Sequence, residues 1–246
     1  MTPVGPLFQA NGVTKRFGGF TAVSGVDLTL GTGESVGVIG PNGAGKSTLL
    51  GLIVGSLRAD AGTLELEGRD MSRLSLPDRV QGGIARAAQI PQTFARLTVR
   101  ENLRLPAVFG ARLHGAEASD WVDEVLTLTG LTDHAGAVAG ELGLLSRKRL
   151  ELAKAVAARP RLLLLDEIAA GLTQHEIETM IGLVKSLRSD RAIVWVEHIP
   201  FALRETCERL VVLDKGEKIL DGAFATVWED ERLQSVYMGV ADHAAA

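Results

Sequence analysis

The stretch Ser35-Val36-Gly37-Val38-Ile39-Gly40-Pro41-Asn42-Gly43-Ala44-Gly45-Lys46-Ser47-Thr48 decides how the rest of the chain is read. Its first five residues form a short β-prone run. The next eight, from Gly40, satisfy G-x-x-x-x-G-K-[ST], and Lys46 to Val54 reads as a helix. Strand, loop, helix is the order in which this motif has mechanical meaning. Glycines let the main chain curl so that successive N–H groups face a polyphosphate, and the helix N-terminus adds a dipole favourable to anions. Gly40, Pro41, Asn42, Gly43, Ala44 and Gly45 are therefore expected to cradle phosphates. Lys46 is expected to reach the β- and γ-phosphates and Ser47 to offer its hydroxyl to Mg²⁺, with Thr48 next in line.

A magnesium nucleotide site also draws a carboxylate from the end of a neighbouring buried strand. Leu162-Leu163-Leu164-Leu165-Asp166-Glu167 supplies one. Four consecutive apolar residues suit a strand buried on both faces, and Asp166 then emerges at its C-terminal edge, where open parallel sheets bind ligands. Asp166 is expected to support Mg²⁺ through water. Glu167 is placed to orient and deprotonate the water that attacks the γ-phosphate.

Outward from these two segments, Val26, Leu28 and Leu30 alternate with polar or small neighbours as in a half-buried strand that ends at Gly31 to Gly33. Gly62 to Leu66 reads as another strand, and Gly68 to Pro77 as connecting loop. From Val99 to Ala158 the pattern changes: Trp121, Val122, Val125, Leu126 and Leu128 recur at helical spacing. Helix and strand then alternate, through Leu162 to Leu165, Glu176 to Leu187, Ala192 to Val196, Phe201 to Cys207 and Leu210 to Leu213, which argues for a parallel sheet flanked by helices. No internal repeat interrupts the chain. The expected organisation is one α/β unit over residues 1–246, with a helical subdomain at about 99–158.

The 246 residues carry 26 Lys plus Arg against 30 Asp plus Glu, a formal net charge of −4, so no basic excess points to a nucleic-acid partner. At 46% hydrophobic and 23% charged the composition suits a folded core rather than a disordered chain. The aliphatic runs fall far below the roughly 18 apolar residues of a membrane-spanning helix. Met1 to Ala10 has no charged segment followed by an apolar block, so no secretory signal is expected. The single cysteine, Cys207, excludes an internal disulfide and is expected to be a buried structural thiol.

With these residues in place, the chain resembles the ATP-binding subunits of ABC transporters from about Leu7 to Gly239. The resemblance implies a P-loop NTPase of α/β class, with a parallel-sheet core, an antiparallel β portion and a helical subdomain, that uses ATP and Mg²⁺. Phe17, in Lys15-Arg16-Phe17-Gly18-Gly19, lies where that family stacks an aromatic on adenine. Gln89 matches the family's Q-loop glutamine, a Mg²⁺ contact that links the nucleotide site to the membrane partner, with Gln92 as a near competitor. His198, after the strand Ile193 to Val196, resembles the switch histidine that hydrogen-bonds the γ-phosphate. His114, His134, His175 and His243 match nothing and are expected to be solvated. Lys15 to Gly19, Gly40 to Thr48, Ala169-Ala170-Gly171-Leu172 and Val236-Tyr237-Met238-Gly239 are similar to the branched-chain amino-acid importer ATPases and their relatives for urea and short amides. The resemblance further implies a dimer of ATPase subunits, transmembrane permease subunits, an indirect link to an extracytoplasmic substrate-binding protein, and a cytoplasmic position on the inner face of the membrane.

The pattern breaks at the family's signature, Leu-Ser-Gly-Gly-Gln. The aligned residues are Leu142-Gly143-Leu144-Leu145-Ser146. Gly143 has no hydroxyl for the opposing nucleotide, and Leu145 is bulky where close backbone approach is needed. A shifted register recovers Ser146 but puts Arg147 and Lys148 in place of both glycines, where they would offer charge to a phosphate. Ile168 replaces the proline that usually follows the Asp-Glu pair, and Thr173 replaces the Asp or Asn that closes the D-loop. Because signature and D-loop serve the interface, these departures imply a non-identical ATPase partner and two unequal composite sites. Two other readings remain open at this level: the ATPase of a lipid or lipopolysaccharide exporter, and a subunit that binds nucleotide and regulates with little hydrolysis.

Overall fold

The computed structural model describes residues 5–235; the Val236 to Gly239 string and His243 lie outside them. Strand β3 (Ser35–Ile39) runs between β8 (Ala192–Val196) and β9 (Arg209–Asp214) in parallel register, with Val36 opposite Val194 and Arg209. Beyond β8 lie β7 (Leu162–Asp166) and then β6 (Ile84–Ala87), both parallel. Strand β10 (Glu217–Ala223) closes the other edge antiparallel to β9, giving the six-stranded order β10-β9-β3-β8-β7-β6. Strands β3, β7 and β8 are buried at every residue, as continuous apolar runs covered on both faces should be.

A second, antiparallel sheet has the order β2-β1-β4-β5, formed by β1 (Phe8–Phe17), β2 (Phe20–Leu30), β4 (Ala61–Leu66) and β5 (Arg69–Asp70). Helix α1 (Lys46–Val54) packs with both sheets in one apolar cluster, and all its residues from Leu49 to Val54 are buried. That explains its lack of a polar face. Helix α2 (Leu76–Gln81) follows, started by Ser75, whose hydroxyl accepts from the N–H of Asp78.

Helices α3 (Val99–Phe109), α4 (Gly115–Leu128) and α5 (Leu144–Ala157) fill the stretch read as helical, with single 3₁₀ turns at Thr132–His134 and Ala139–Glu141. They share a second apolar cluster with the sheet and with α6 (Gln174–Ser186) and α7 (Pro200–Thr206). Helix α8 (Phe224–Trp228) follows, its Phe224 and Trp228 rings stacked at 5.6 Å, and the described chain ends in a further helical stretch at residues 231–235.

One reading of the sequence is corrected here. Gly68 to Pro77 is not all loop, since it holds β5 and the start of α2, with Pro77 in the first helical turn, where its missing N–H costs nothing. Helix α5 begins at Leu144, so the altered signature itself forms the helix start. Strand β1, edge strand β6, β10 and α8 carry too little periodicity of their own to be read. Cys207 is buried, its Sγ 3.5 Å from both Ser35 Oγ and Thr206 Oγ1, as expected of a structural thiol. Among the described residues, no helix is long and apolar enough to cross a membrane.

Candidate nucleotide and hydrolysis site

The loop between β3 and α1 is closed by contacts only glycine permits. At Gly40, φ is 154° and a Cβ would stand 2.1 Å from the Leu213 carbonyl oxygen; at Gly45, φ is 99° and a Cβ would stand 2.3 Å from that of Ala22. The second contact also joins the loop to the β1–β2 hairpin, as does the chain of bonds from Ser24 N–H to Gly216 O and from Gly216 N–H to Ala44 O. Phe17 and Phe20 face each other across the tip of that hairpin, 48% and 59% exposed. Phe20 is a second aromatic that the sequence reading passed over, and Lys15 Nζ sits 5.5 Å from the Phe17 ring.

Lys46 is buried and donates to the carbonyls of Gly40 at 2.7 Å and Pro41 at 3.0 Å, curling back over its own loop. Burial pushes its ammonium below the ordinary lysine range, against the attraction of Glu167 and Asp166. Ser47 is exposed at the mouth of the loop, with Thr48 one residue further into the helix.

Asp166 ends β7, 3% exposed. One of its oxygens, Oδ2, accepts from Arg86 of β6, while Oδ1 is buried and has no partner. An unpartnered buried carboxylate oxygen beside a lysine-bearing phosphate loop, with an exposed serine hydroxyl at the loop's end, is a donor set of hard oxygens that fits Mg²⁺. Arg86 was not singled out from the sequence. Its place on the edge strand next to β7 could be inferred only once β6 was known to exist.

Glu167 follows with φ 47°, a left-handed backbone that costs a non-glycine residue about 1–2 kcal/mol and persists only where neighbours impose it. Its N–H donates to Val196 O at 2.8 Å. Both carboxylate oxygens are engaged: Oε1 lies 2.9 Å from His198 Nε2, and Oε2 accepts from the Gln89 amide. An ionised carboxylate only accepts, so the first pair requires the hydrogen on Nε2. Three sequence candidates separated by 78 and 31 residues thus meet at one carboxylate. Gln92 does not join them. Its backbone is tied to α5 by Glu151 Oε2 at 3.0 Å, and its side chain is exposed.

The signature segment looks different from its expected form. Gly143 stands at the helix N-cap with no side-chain cap, Leu144 is exposed, and Leu145 packs against the core. Arg147 donates back to Leu142 O at 2.9 Å, and Lys148 turns inward, 4% exposed. Lys148 is therefore not available to an opposing phosphate, which corrects that reading of the shifted register. Ile168 is a fully buried core residue, and Thr173 gives its N–H and hydroxyl to Glu176 at 2.8 Å each, so both D-loop departures serve local packing and helix capping. His114, His134 and His175 are exposed.

Beside the Gln89 segment lies a groove of about 740 Å³ lined by Leu76, Val80, Phe94, Leu105, Phe109 and Ala155 among others, of which Leu76, Phe94 and Phe109 are exposed.

Comparison with known proteins places this geometry in context. The family model described as ABC transporter matches residues 23–170. The chain is 30% identical to the high-affinity branched-chain amino acid transport ATP-binding protein BraF of Pseudomonas aeruginosa, over 96% of this chain and 99% of that one. It is 32% identical to the lipopolysaccharide export system ATP-binding protein LptB of Haemophilus influenzae, over 95% and 97%. Among solved structures, the ADP conformation of MJ1267, an ATP-binding cassette of an ABC transporter, superposes with a TM-score of 0.85 at 26% identity, covering 95% of this chain and 99% of that one.

Proposed function

Because this chain belongs to the ABC transporter family and is an ATP-binding, ATP-hydrolysing subunit of it, we propose that the centre around Glu167 is where its hydrolysis takes place. The observation that carries this reading is the meeting of Gln89 and His198 on the two oxygens of Glu167, in the electrostatic reach of Lys46. Gly40 to Gly45 offer main-chain N–H groups to the phosphates of ATP, Lys46 leaves its loop carbonyls for the β- and γ-phosphates, and Phe17 stacks on adenine. Ser47, Gln89 and Asp166 are the residues that would hold Mg²⁺, which supplies neutralisation of phosphate charge when bound. Glu167 takes the proton of the attacking water. His198 exchanges its bond to Glu167 for one to the γ-phosphate, and Gln89, released from the same carboxylate, would be free to serve as one of the residues that hold Mg²⁺.

One phosphate loop with one signature segment makes half of a two-site machine. ATP closes two cassettes on each other, and loss of the γ-phosphate contacts reopens them. We read the partner as a different ABC subunit. Gly143 offers no hydroxyl and Leu145 packs inward, so this chain presents to an opposing γ-phosphate the backbone donors of the α5 start and the half-buried Ser146, while exposed Leu144 presents an apolar side chain beside them. The site on Lys46, Glu167 and His198 is completed by the partner's signature and is the active one. The site closed by this chain's signature is weak. The apolar groove next to the Gln89 segment suits a short helix of a permease subunit, which would hold this chain on the cytoplasmic face of the membrane and link Gln89 to transport.

Similarity to BraF favours import of branched-chain amino acids or related small amides, with a substrate-binding protein reached through the permease. Similarity to LptB favours lipopolysaccharide export as the second reading. Uptake of labelled leucine by vesicles holding the complete complex separates them. For the unequal sites, the purified chain alone should hydrolyse ATP at less than about a tenth of the rate of the complete complex, since one missing set of γ-phosphate donors costs 10²–10³ in turnover. Equal rates would refute the pairing with a different cassette.

A further inference from the structure

Lys148 and Glu197 have no part in the roles assigned above, yet they are closed off from water, 4% and 1% exposed, in the shell around Glu167. A buried ammonium and a buried carboxyl each pay a desolvation cost, so each needs partners. Those partners are main-chain groups of the hydrolytic residues or their neighbours. Lys148 Nζ donates to the carbonyl of Gln89 at 2.8 Å and to that of Glu167 at 3.3 Å. Glu197 Oε1 accepts from Ala169 N–H at 2.7 Å, and its Oε2 from His198 N–H at 3.0 Å. The two side chains therefore hold the main chain of Gln89, Glu167 and His198, the three residues whose side chains meet at one carboxylate.

The same face of α5 grips the Gln89 segment further along. Glu151, one turn after Lys148, accepts from the N–H groups of Ala88 and Gln92, and Lys154 pairs with Glu151 at 3.0 Å. Glu167 has a left-handed backbone that its own residue type disfavours, so something outside it must impose the conformation. The bonds to its carbonyl from Lys148 and from Ala170 N–H, at 3.2 Å, are the means, and Glu197 anchors the next stretch through Ala169.

We propose that Lys148 and Glu197 are positioning residues of the hydrolytic centre: through four main-chain hydrogen bonds they set where the Glu167 carboxylate, the Gln89 amide and the His198 ring stand. The inference rests on Glu167 being the base. Neither residue touches ATP or the attacking water, so removing either one moves turnover and leaves ATP affinity alone.

The test is a double-mutant cycle on the complete complex, with turnover read as phosphate release and affinity by titration with a non-hydrolysable ATP analogue. Lys148→Met should lower kcat by about 10–100-fold with the analogue Kd within about twofold of wild type, and Lys148→Arg should recover most of the loss. On top of Glu167→Gln, Lys148→Met should cost less than about twofold more, because it acts through a carboxylate already removed. A single Lys148→Met variant with kcat within twofold of wild type overturns the proposal, and so does an equal loss in both backgrounds. If Lys148→Met does not fold, the cycle is read on Glu197→Gln, which keeps the side-chain volume and the bond from Ala169; the same non-additivity is expected, and additivity or an unchanged kcat is again fatal. Normal turnover in Glu167→Gln alone would instead strike down the base assignment.

Discussion

Glu167→Gln in the complete complex should reduce ATP turnover at this site by about 10²–10⁴-fold, the usual worth of a positioned general base, while ATP still binds. The substitution keeps the shape of the side chain and one acceptor oxygen. What it removes is the ability to take a proton from water. The amide nitrogen of the new side chain would also face one of the two donors now on Glu167, Gln89 Nε2 or His198 Nε2, so one of these bonds is lost as well. Neither loss touches the phosphate loop, which is why binding survives. Phosphate release and nucleotide titration on the same preparation check both halves, and retained turnover at this site would refute Glu167 as the base.

Lys46→Ala should produce the complementary defect, a loss of ATP affinity of about 10–150-fold, the equivalent of roughly 1.5–3 kcal/mol for hydrogen bonds to charged groups. Lys46 is held by two loop carbonyls without ligand, so its removal also leaves Gly40 O and Pro41 O without their donor. An equilibrium titration with a labelled nucleotide is the check. Unchanged affinity would contradict the reading of residues 40–47 as the phosphate cradle.

How much of this was legible in the sequence follows from the range of each interaction. The Gly40–Ser47 loop is a local device, in which backbone freedom, helix start and lysine lie within eight residues, and β3 and α1 were read to their observed ends. Leu162 to Asp166 was equally plain, because a strand buried on both faces must be apolar throughout. Strand β1 was not, because Asn11, Gly12, Lys15 and Arg16 break its alternation where the register with β2 shifts. Strand β6 is four residues long with Arg86 in its middle, and it is a strand only because β7 lies beside it.

The candidate site divides in the same way. Asp166 and Glu167 were read from the end of an apolar strand, Gln89 and His198 because their residue types and order resemble a known family's, and the structure brings Glu167, Gln89 and His198 together. The bond from Arg86 to Asp166 spans 80 residues and the inward turn of Lys148 depends on where two carbonyls lie, so neither leaves a local trace. The departures at Ile168 and Thr173 looked functional in the sequence and prove to have packing and capping partners. The signature departure is compensated only in part, by Leu145 packing against the core and Arg147 bonding back to Leu142. Gly143 lacks any cap and Leu144 stays exposed, which keeps the interface as the place where its consequence falls.

The proposal that the composite sites are unequal is tested most directly by placing the carboxylate-to-amide change in one cassette of the complete complex at a time and measuring phosphate release. Glu167→Gln in this chain should remove nearly all turnover, while the corresponding change in the partner cassette, whose site depends on Gly143 and Leu145 of this chain, should leave most of it. Equal losses from the two changes, or a greater loss from the partner's, would contradict the account.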